Sequence, residues 1–175
     1  MELIEVELLK PNIYQKDIFK IDYKKLKAKN INNLLFDIDN TIASNKEKIP
    51  NNKVIELFKN LKKQGFNLYI ITNSLKKRAI SFGNQLNVKT YYFSMKPLSK
   101  NYLKLIKENN LKIEECAAIG DQLFTDIKGA NKLNILSILV DPIDNKEFIT
   151  TKINRIKENN LINKTKIIKK GEYYE

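Results

Sequence analysis

Short runs of apolar residues alternate with amphipathic stretches through the middle of the chain. The runs predict strands at residues 34–38, 67–72, 88–93, 116–120 and 135–140. The stretches that follow them carry apolar residues at helical spacing and predict helices at residues 51–64, 75–86, 99–109, 125–133 and 146–159. In the helix at residues 99–109, we expect Tyr102, Leu103 and Ile106 to face inward.

This alternation predicts an α/β fold with a central parallel sheet, because parallel neighbours need long crossover connections and helices provide them. The runs are apolar throughout, which is typical of strands buried on both faces. We therefore expect three layers, with helices on both sides of the sheet, in a Rossmann-like arrangement. The chain is predicted to be a single domain, with a core at about residues 31–160, an N-terminal arm at 1–30 and a basic tail at 164–175.

Ligands bind to parallel sheets of this kind at the carboxyl ends of the strands. The first run is followed there by Asp37 and Asp39. Carboxylates two residues apart point to the same side of an extended chain and can share a cation, and oxygen ligands of this type suit Mg²⁺. The alternative is that both residues only end the strand and begin a turn.

Polar residues also follow the next three runs. Thr72 ends the second run, where its hydroxyl can bind an anion or cap a helix. Lys96 follows the third run and precedes a proline that restricts the backbone, although an isolated lysine is usually solvated. The fourth run is followed by Asp121 and Asp126. A turn between them can bring both carboxylates to one site, and the alternative is that they act only as capping residues.

The absent residue types exclude several kinds of chemistry. Histidine is absent and cysteine occurs once, at Cys116, in 175 residues. This excludes an imidazole base, histidine-ligated metal sites, thiolate zinc clusters and an internal disulfide. The single cysteine and an N-terminus without a secretory pattern indicate a cytoplasmic protein, and peripheral contact with a membrane is compatible with both.

The chain is strongly basic. Lysine and arginine total 32 against 20 acidic residues, which gives a net charge of +12, and Arg78 and Arg155 are the only arginines. Such a surplus attracts nucleic acid, an anionic membrane surface or a phosphorylated substrate. Asparagine and isoleucine are also abundant, so a general compositional bias is the alternative explanation. The apolar runs are far shorter than the roughly 20 residues of a membrane-spanning helix.

The four strand-end features, taken in order, resemble the four motifs of the haloacid dehalogenase superfamily of aspartate-dependent phosphohydrolases. The motif DxD[T/V] is matched by residues 37–39 with Thr41 one position further on, the Ser/Thr motif matches Thr72, the Lys motif matches Lys96, and GDxxxxD matches residues 120–126. A further similarity, from about Leu9 to Arg155, is to the capless subclass IIIA and to its bacterial members related to phosphatidylglycerophosphate phosphatases. The resemblance implies the fold of this superfamily without an inserted cap domain.

The resemblance also implies a role for each matched residue. Asp37 would be the nucleophile that forms an aspartyl phosphate, and Asp39 would act as general acid and base. Thr72 would bind a phosphoryl oxygen, and Lys96 would neutralise charge on Asp37 and the phosphoryl group. The implied ligands of Mg²⁺ are Asp37, the backbone carbonyl of Asp39 and Asp121, with Asp126 as an indirect or water-mediated partner.

The spacing of the motifs bears on the substrate. The segments from Thr41 to Thr72 and from Thr72 to Lys96 are taken up by the predicted helices and strands, which leaves no room for a cap. An uncovered site admits a phosphate on a protein, a nucleic-acid end or a lipid headgroup, unless oligomerisation covers it for a small metabolite. The resemblance favours phosphatidylglycerophosphate or a similar anionic lipid phosphate as the substrate.

Two alternatives to the lipid substrate stay open. One is a phosphatase for nucleic-acid ends or sugar phosphates, and the other is a basic RNA-binding or ribosome-binding module with a vestigial site. The N-terminal arm mixes apolar and lysine residues, which is compatible with contact to a membrane surface or with packing against the core. These residues are Ile13, Tyr14, Ile18, Phe19, Lys20, Lys24 and Lys25.

Overall fold

A computed structural model describes residues 3–144 and 149–175. Its strands are β1 (Ile13–Gln15), β2 (Asn33–Phe36), β3 (Asn67–Ile71), β4 (Lys89–Tyr91), β5 (Cys116–Gly120) and β6 (Leu136–Val140). Its α-helices are α1 (Leu3–Glu7), α2 (Tyr23–Ala28), α3 (Asn52–Lys63), α4 (Lys76–Leu86), α5 (Lys100–Glu108), α6 (Lys128–Asn131) and α7 (Ile149–Thr165). A 3₁₀ turn at Ile113–Glu115 precedes β5, and a π-helical turn at Leu123–Ile127 precedes α6.

The six strands form one sheet in the order β1-β6-β5-β2-β3-β4, and every pair is parallel. β2 lies between β5 and β3, with Leu34 opposite Ala117 on one side and Leu68 on the other. The predicted parallel α/β sheet is therefore confirmed. The carboxyl ends of β2, β3, β4 and β5 all open on one edge of this sheet.

Successive side chains along a strand are buried on opposite faces of the sheet, in two different apolar layers. Leu34 and Phe36 of β2 pack with the helix residues Phe58 and Phe82, which lie on α3 and α4. Leu35, between them, packs in the other layer with Tyr102 and further residues of α5 and α6. This alternation follows from the two-residue period of a strand, and it confirms the three-layer Rossmann-like arrangement. No cap domain is inserted within the described residues.

The N-terminal arm contributes a sixth strand that the sequence analysis does not predict. β1 pairs with β6 at the edge of the sheet, and Tyr14 also exchanges two backbone hydrogen bonds of 2.9 Å with Tyr174 near the C-terminus. A strand of three residues is too short to show a period along the sequence. Ile13, Tyr14 and Ile18 are buried, so these three side chains pack against the protein, whereas Phe19 is about half exposed.

Helix α5 is rotated relative to the sequence prediction. Tyr102 and Ile106 face inward as expected, but Leu103 is exposed and Leu105 takes the third inward position. Residues 102, 105 and 106 lie on one face of a helix, whereas residue 103 lies about 100° away from residue 102. The last helix, α7, continues past the predicted end at Asn159 to Thr165, and its predicted first residues, 146–148, lie outside the described part of the chain.

Across the described ranges of the chain, no helix has both the length and the apolar character that crossing a bilayer requires.

The orientation of α5 can be tested with two neighbouring leucines. Leu105→Ala should lower the free energy of unfolding by about 2–5 kcal/mol because it leaves a cavity in a packed layer. Leu103→Ala, the matched control, should change it by less than about 1 kcal/mol. Urea unfolding of both variants measures the difference, and equal losses would contradict the observed orientation.

Candidate active site

Three buried carboxylates meet at the carboxyl edge of the sheet. Asp37 directly follows β2, Asp121 directly follows the neighbouring strand β5, and Asp126 lies in the π-helical turn after it. One carboxylate oxygen of each residue lies within 4.8 Å of those of the other two. The parallel pairing of β2 with β5 thus brings together residues that are far apart in the sequence, as the strand-end pattern predicts.

Lys96 places a cation among these carboxylates. Its Nζ donates to Asp37 Oδ1 at 2.7 Å, to Asp126 Oδ1 at 2.5 Å and to the carbonyl oxygen of Ile71 at 3.0 Å. The side chain is only 2% exposed, so the three ammonium protons are all used inside the protein. Lys96 therefore ties the loop after β4 to the ends of β2 and β3 and to the turn that carries Asp126.

Burial shifts the pKa values of this group. It raises the pKa of Asp37 to about 7, although the ammonium of Lys96 acts in the opposite direction. It also raises the pKa of Asp121 well above the ordinary range, against the opposing effect of Arg155. Burial alone would lower the pKa of Lys96, but the carboxylates of Asp126 and Asp37 outweigh it and the pKa is raised. Lys96 consequently stays charged at neutral pH.

A glycine at position 120 allows the side chain of Asp126 to lie close to Asp37, Asp121 and Lys96. A Cβ atom on Gly120 would lie 2.2 Å from the carboxyl carbon of Asp126, which is far inside van der Waals contact. Asp126 is held in turn by the backbone N–H of Gln122, which donates to its Oδ2 at 3.1 Å. Glycine is therefore required at the end of β5 for steric reasons.

Asp39 does not join the three carboxylates with its side chain. Beyond β2 the N–H groups of Ile42 and Ala43 donate to the carbonyl oxygen of Ile38, and the turn itself begins at Asn40, after Asp39. Asp37 and Asp39 line the same cavity, as their spacing predicts, and a cation shared by the two side chains stays a prediction. The implied contribution of Asp39 to metal binding, through its backbone carbonyl, stays a prediction.

The carboxylate of Asp39 is held by two residues of the next crossover. The hydroxyl of Ser74 donates to Oδ2, and Nε of Arg78 donates to Oδ1 at 2.8 Å. The guanidinium of Arg78 also donates to the carbonyl oxygens of Ser44, at 3.0 Å, and Glu47. Arg78 thus connects α4 to the loop after β2 and fixes the position of Asp39.

All four residues predicted to be catalytic line one cavity of about 520 Å³. These residues are Asp37, Asp39, Thr72 and Lys96. The hydroxyl of Thr72 accepts a hydrogen bond of 3.2 Å from the backbone N–H of Ser74, and its side chain is buried. A larger depression of about 870 Å³ lies near α1 and the start of β6, but none of these residues reaches it. The smaller cavity is therefore the candidate active site.

Helix α7 supplies an arginine that the sequence analysis does not assign to the site. Nη1 of Arg155 donates to the carbonyl oxygen of Asp121 at 2.6 Å, and Nη2 donates to its carboxylate. Arg155 also pairs with the buried Glu158 at 2.9 Å, and Glu158 accepts the N–H of Phe124 at 3.2 Å. These contacts attach α7 to the loop that carries Asp121, and Asn154 of the same helix lines the cavity.

A divalent cation fits this set of donors. Three carboxylates share two cations, Lys96 and Arg155, and Glu158 competes for the second of these. Negative charge is therefore in excess, and all the available ligand atoms are oxygens, the type that Mg²⁺ prefers. Asp37 and Asp121, whose pKa values are raised by burial, are the carboxylates that a bound cation would stabilise most in their ionised form.

The family model of haloacid dehalogenase-like hydrolases matches residues 5–134 of the chain. This protein belongs to that family. The chain is also 31% identical over 156 residues to the probable phosphatase YqeG of Bacillus subtilis (strain 168), a similarity that covers 89% of this chain and 91% of YqeG. The family resemblance stated from the motifs is thereby confirmed.

Solved structures share the fold of this hydrolase. A predicted HAD-like family hydrolase of Porphyromonas gingivalis superimposes with a TM-score of 0.52 at 12% identity, covering 73% of this chain and 98% of that one. A hypothetical protein of Xanthomonas campestris gives a TM-score of 0.52 at 19% identity, with 79% of each chain covered. At these identities the similarity concerns the fold alone.

The raised pKa of Asp37 predicts a pH-dependent stability of the metal-free hydrolase. The folded chain binds the proton of Asp37 more tightly than the unfolded chain between about pH 4 and pH 7. The contribution of Asp37 to stability therefore falls as the pH rises through this window. Asp37→Asn cannot ionise, so its melting temperature in chelator should fall less than that of the wild type between pH 5 and pH 8. Parallel melting curves for the two proteins would contradict the assigned shift.

The contact between α7 and Asp121 predicts a large effect on stability. Arg155→Ala leaves a buried carboxylate without its cation and should lower the free energy of unfolding by about 3 kcal/mol or more. Arg155→Lys, the matched control, keeps the positive charge but not the bidentate contact, so its free energy of unfolding should lie between those of Arg155→Ala and the wild type. Urea unfolding at neutral pH measures both, and an Arg155→Ala variant as stable as the wild type would show that α7 does not hold this loop.

Proposed function

We propose that this hydrolase is a Mg²⁺-dependent phosphomonoesterase that works through an aspartyl phosphate on Asp37. The observation that carries the proposal is the contact of the buried Lys96 with Asp37 and Asp126, with Asp121 within reach, at one end of a cavity. This arrangement combines a carboxylate nucleophile with a fixed ammonium group and with an excess of negative charge that a divalent ion can neutralise. The similarity to YqeG, a probable phosphatase, supports the same reaction.

The reaction proceeds in two displacements at phosphorus. In the first, a carboxylate oxygen of Asp37 forms a bond to phosphorus while the bond to the ester oxygen breaks, and the carboxyl group of Asp39 gives its proton to the leaving alcohol. In the second, Asp39 takes a proton from water, the water oxygen bonds to phosphorus, and the bond to Asp37 breaks. Inorganic phosphate is released, and both carboxyl groups regain their starting states.

Positive charge and hydrogen-bond donors stabilise the phosphoryl oxygens in this scheme. Lys96 is fixed beside Asp37, Thr72 lines the same cavity, and Arg78 orients Asp39. Asp37, the Asp39 backbone carbonyl and Asp121 would hold the Mg²⁺ ion, with Asp126 nearby. When bound, the ion supplies charge neutralisation for the phosphoryl group and for Asp37.

An anionic lipid phosphate, such as phosphatidylglycerophosphate, is the substrate that we propose. The cavity has no inserted cap over it within the described residues, so a phosphate carried on a large assembly can reach Asp37. The net charge of +12 favours an anionic substrate surface. Nucleic-acid ends and sugar phosphates would use the same catalytic residues, and the second experiment below separates them from lipid.

Hydrolysis of an aryl phosphate tests the chemistry. Wild-type protein should release phosphate from p-nitrophenyl phosphate only with Mg²⁺, and chelator should abolish the release. Asp37→Asn should lower kcat by at least about a thousandfold, because it removes the nucleophile. Asp22→Asn, the matched control, changes an exposed helix cap to an equally good one and should keep full activity. Undiminished activity of Asp37→Asn would refute the mechanism.

A comparison of substrates tests the lipid assignment. Phosphatidylglycerophosphate in mixed micelles, a hexose phosphate and a 5′-phosphorylated oligonucleotide are compared by kcat/KM for the same preparation. The lipid should give the highest value. A higher value for the oligonucleotide or the sugar would replace the proposed substrate and leave the catalytic assignments intact.

A further inference from the structure

Four large apolar side chains are exposed beside the mouth of the active-site cavity. Leu75 lines the cavity itself and is 66% exposed. Phe93, Met95 and Leu98, in the loop that carries Lys96, are 54%, 54% and 53% exposed. We call Leu75, Phe93, Met95 and Leu98 the mouth patch.

Hydrogen bonds join the two loops that carry the mouth patch. The N–H of Phe93 donates to the carbonyl oxygen of Ser74 at 3.3 Å, next to Leu75. The side chain of Asn73 donates to the carbonyl oxygen of Lys96 at 3.3 Å and accepts its N–H at 2.8 Å. These bonds fix the two loops to each other, so the residues of the mouth patch are presented by one connected piece of backbone that also carries Lys96.

The backbone of the second loop turns the patch outward. Phe93 and Met95 have φ values of 47° and 49°, in the left-handed region that residues other than glycine seldom adopt. Ser94 and Lys96, which alternate with them, point inward and are buried. Left-handed backbone costs about 1 kcal/mol or more for each such residue, and strain of this kind is concentrated at functional sites.

Three exposed lysines lie next to residues of the mouth patch along the chain. Lys76 and Lys77 follow Leu75, and Lys100 follows the second loop, and all three are exposed. None of them makes a salt bridge within residues 3–144 and 149–175. Lys76 lies 5.8 Å from the ring centre of Tyr92, beside Phe93. The surface next to the cavity is thus both apolar and positively charged.

We propose that the mouth patch and its three lysines dock the hydrolase on an anionic bilayer, with the cavity facing the lipid phosphates. The apolar side chains would enter the interface between headgroups and acyl chains, and the lysines would contact anionic headgroups. This inference rests on the proposed lipid substrate, and it assigns the approach to the mouth of the cavity. The N-terminal arm is less suited to it, since Ile13, Tyr14 and Ile18 are buried.

The charge and composition of the surface favour a bilayer over two other occupants. In a symmetric dimer the mouth patch of one chain would contact the same patch of the other. This contact would bring together lysines from two chains that each carry a net charge of +12, and like charges repel. Single-stranded nucleic acid stacks its bases on aromatic rings, but three of the four patch residues are aliphatic. An anionic lipid surface matches both the aliphatic side chains and the lysines.

A tryptophan reporter tests the contact directly, because the chain contains no tryptophan. Phe93→Trp should show a blue-shifted emission with vesicles that contain one quarter phosphatidylglycerol in phosphatidylcholine, and brominated acyl chains should quench it. Phe19→Trp, the matched control, replaces a phenylalanine of similar exposure after the strand at the opposite end of the sheet and should show neither effect. An unshifted Phe93→Trp, or an equal shift at position 19, would overturn the proposal.

Co-sedimentation with the same vesicles measures the strength of docking. The variant Phe93→Asn/Met95→Asn should bind at least about tenfold more weakly, while asparagine tolerates the left-handed backbone and should preserve the melting temperature. Lys76→Gln/Lys77→Gln/Lys100→Gln should lose the dependence of binding on phosphatidylglycerol content. Equal binding of the asparagine variant and the wild type would overturn the proposal, as would a wild-type dimer that these substitutions dissociate.

The binding experiments are independent of the proposed chemistry. They are carried out in chelator on the Asp37→Asn background, so they give the same result whether or not Asp37 is the nucleophile. Hydrolysis of p-nitrophenyl phosphate by Phe93→Asn/Met95→Asn, with position 37 unchanged, should equal that of the wild type. Docking of a protein that does not hydrolyse the lipid would refute the substrate assignment alone, whereas hydrolysis of micellar lipid without docking would refute the surface alone.

Discussion

The contact of the buried Lys96 ammonium with Asp37 and Asp126 is the interaction on which the site depends. Charges removed from water are tolerated only when they are paired and hydrogen-bonded, and all three protons of Lys96 have acceptors. Because Asp121 lies beside Asp37 and Asp126, three carboxylates surround one ammonium group and part of their negative charge is not neutralised by Lys96. Arg155 neutralises some of this charge, and a divalent ion would neutralise the rest.

The parallel sheet explains why so much of the site could be predicted from the sequence. β2 and β5 are buried on both faces, so they read as uninterrupted apolar runs, and a polar residue directly after such a run marks the edge where ligands bind. Asp37 and Asp121 stand at such positions, whereas Lys96 lies beyond the end of the edge strand β4 and is singled out by the proline after it and by the family resemblance. The family resemblance added their roles, which the strand-end pattern does not contain.

The features that the sequence did not predict depend on contacts between distant segments. Arg78 contacts Asp39 from the next crossover, and Arg155 contacts Asp121 from the last helix. Both arginines are far from their partners along the sequence, so a local sequence pattern does not indicate these contacts. One signal was available: these are the only two arginines in a chain with 32 basic residues, and both bind a site carboxylate. Arginine forms such planar, directional contacts better than lysine, so its rarity here pointed to specific use.

The residue that captures phosphorus can be identified directly. Protein quenched during turnover of an aryl phosphate with Mg²⁺ is reduced with borohydride, which converts an aspartyl phosphate to homoserine, and the peptides are sequenced by mass spectrometry. The proposed mechanism predicts homoserine at position 37 and at no other aspartate, and none when substrate is omitted. Homoserine at position 39 or 121, or phosphate release with position 37 unmodified, would contradict it.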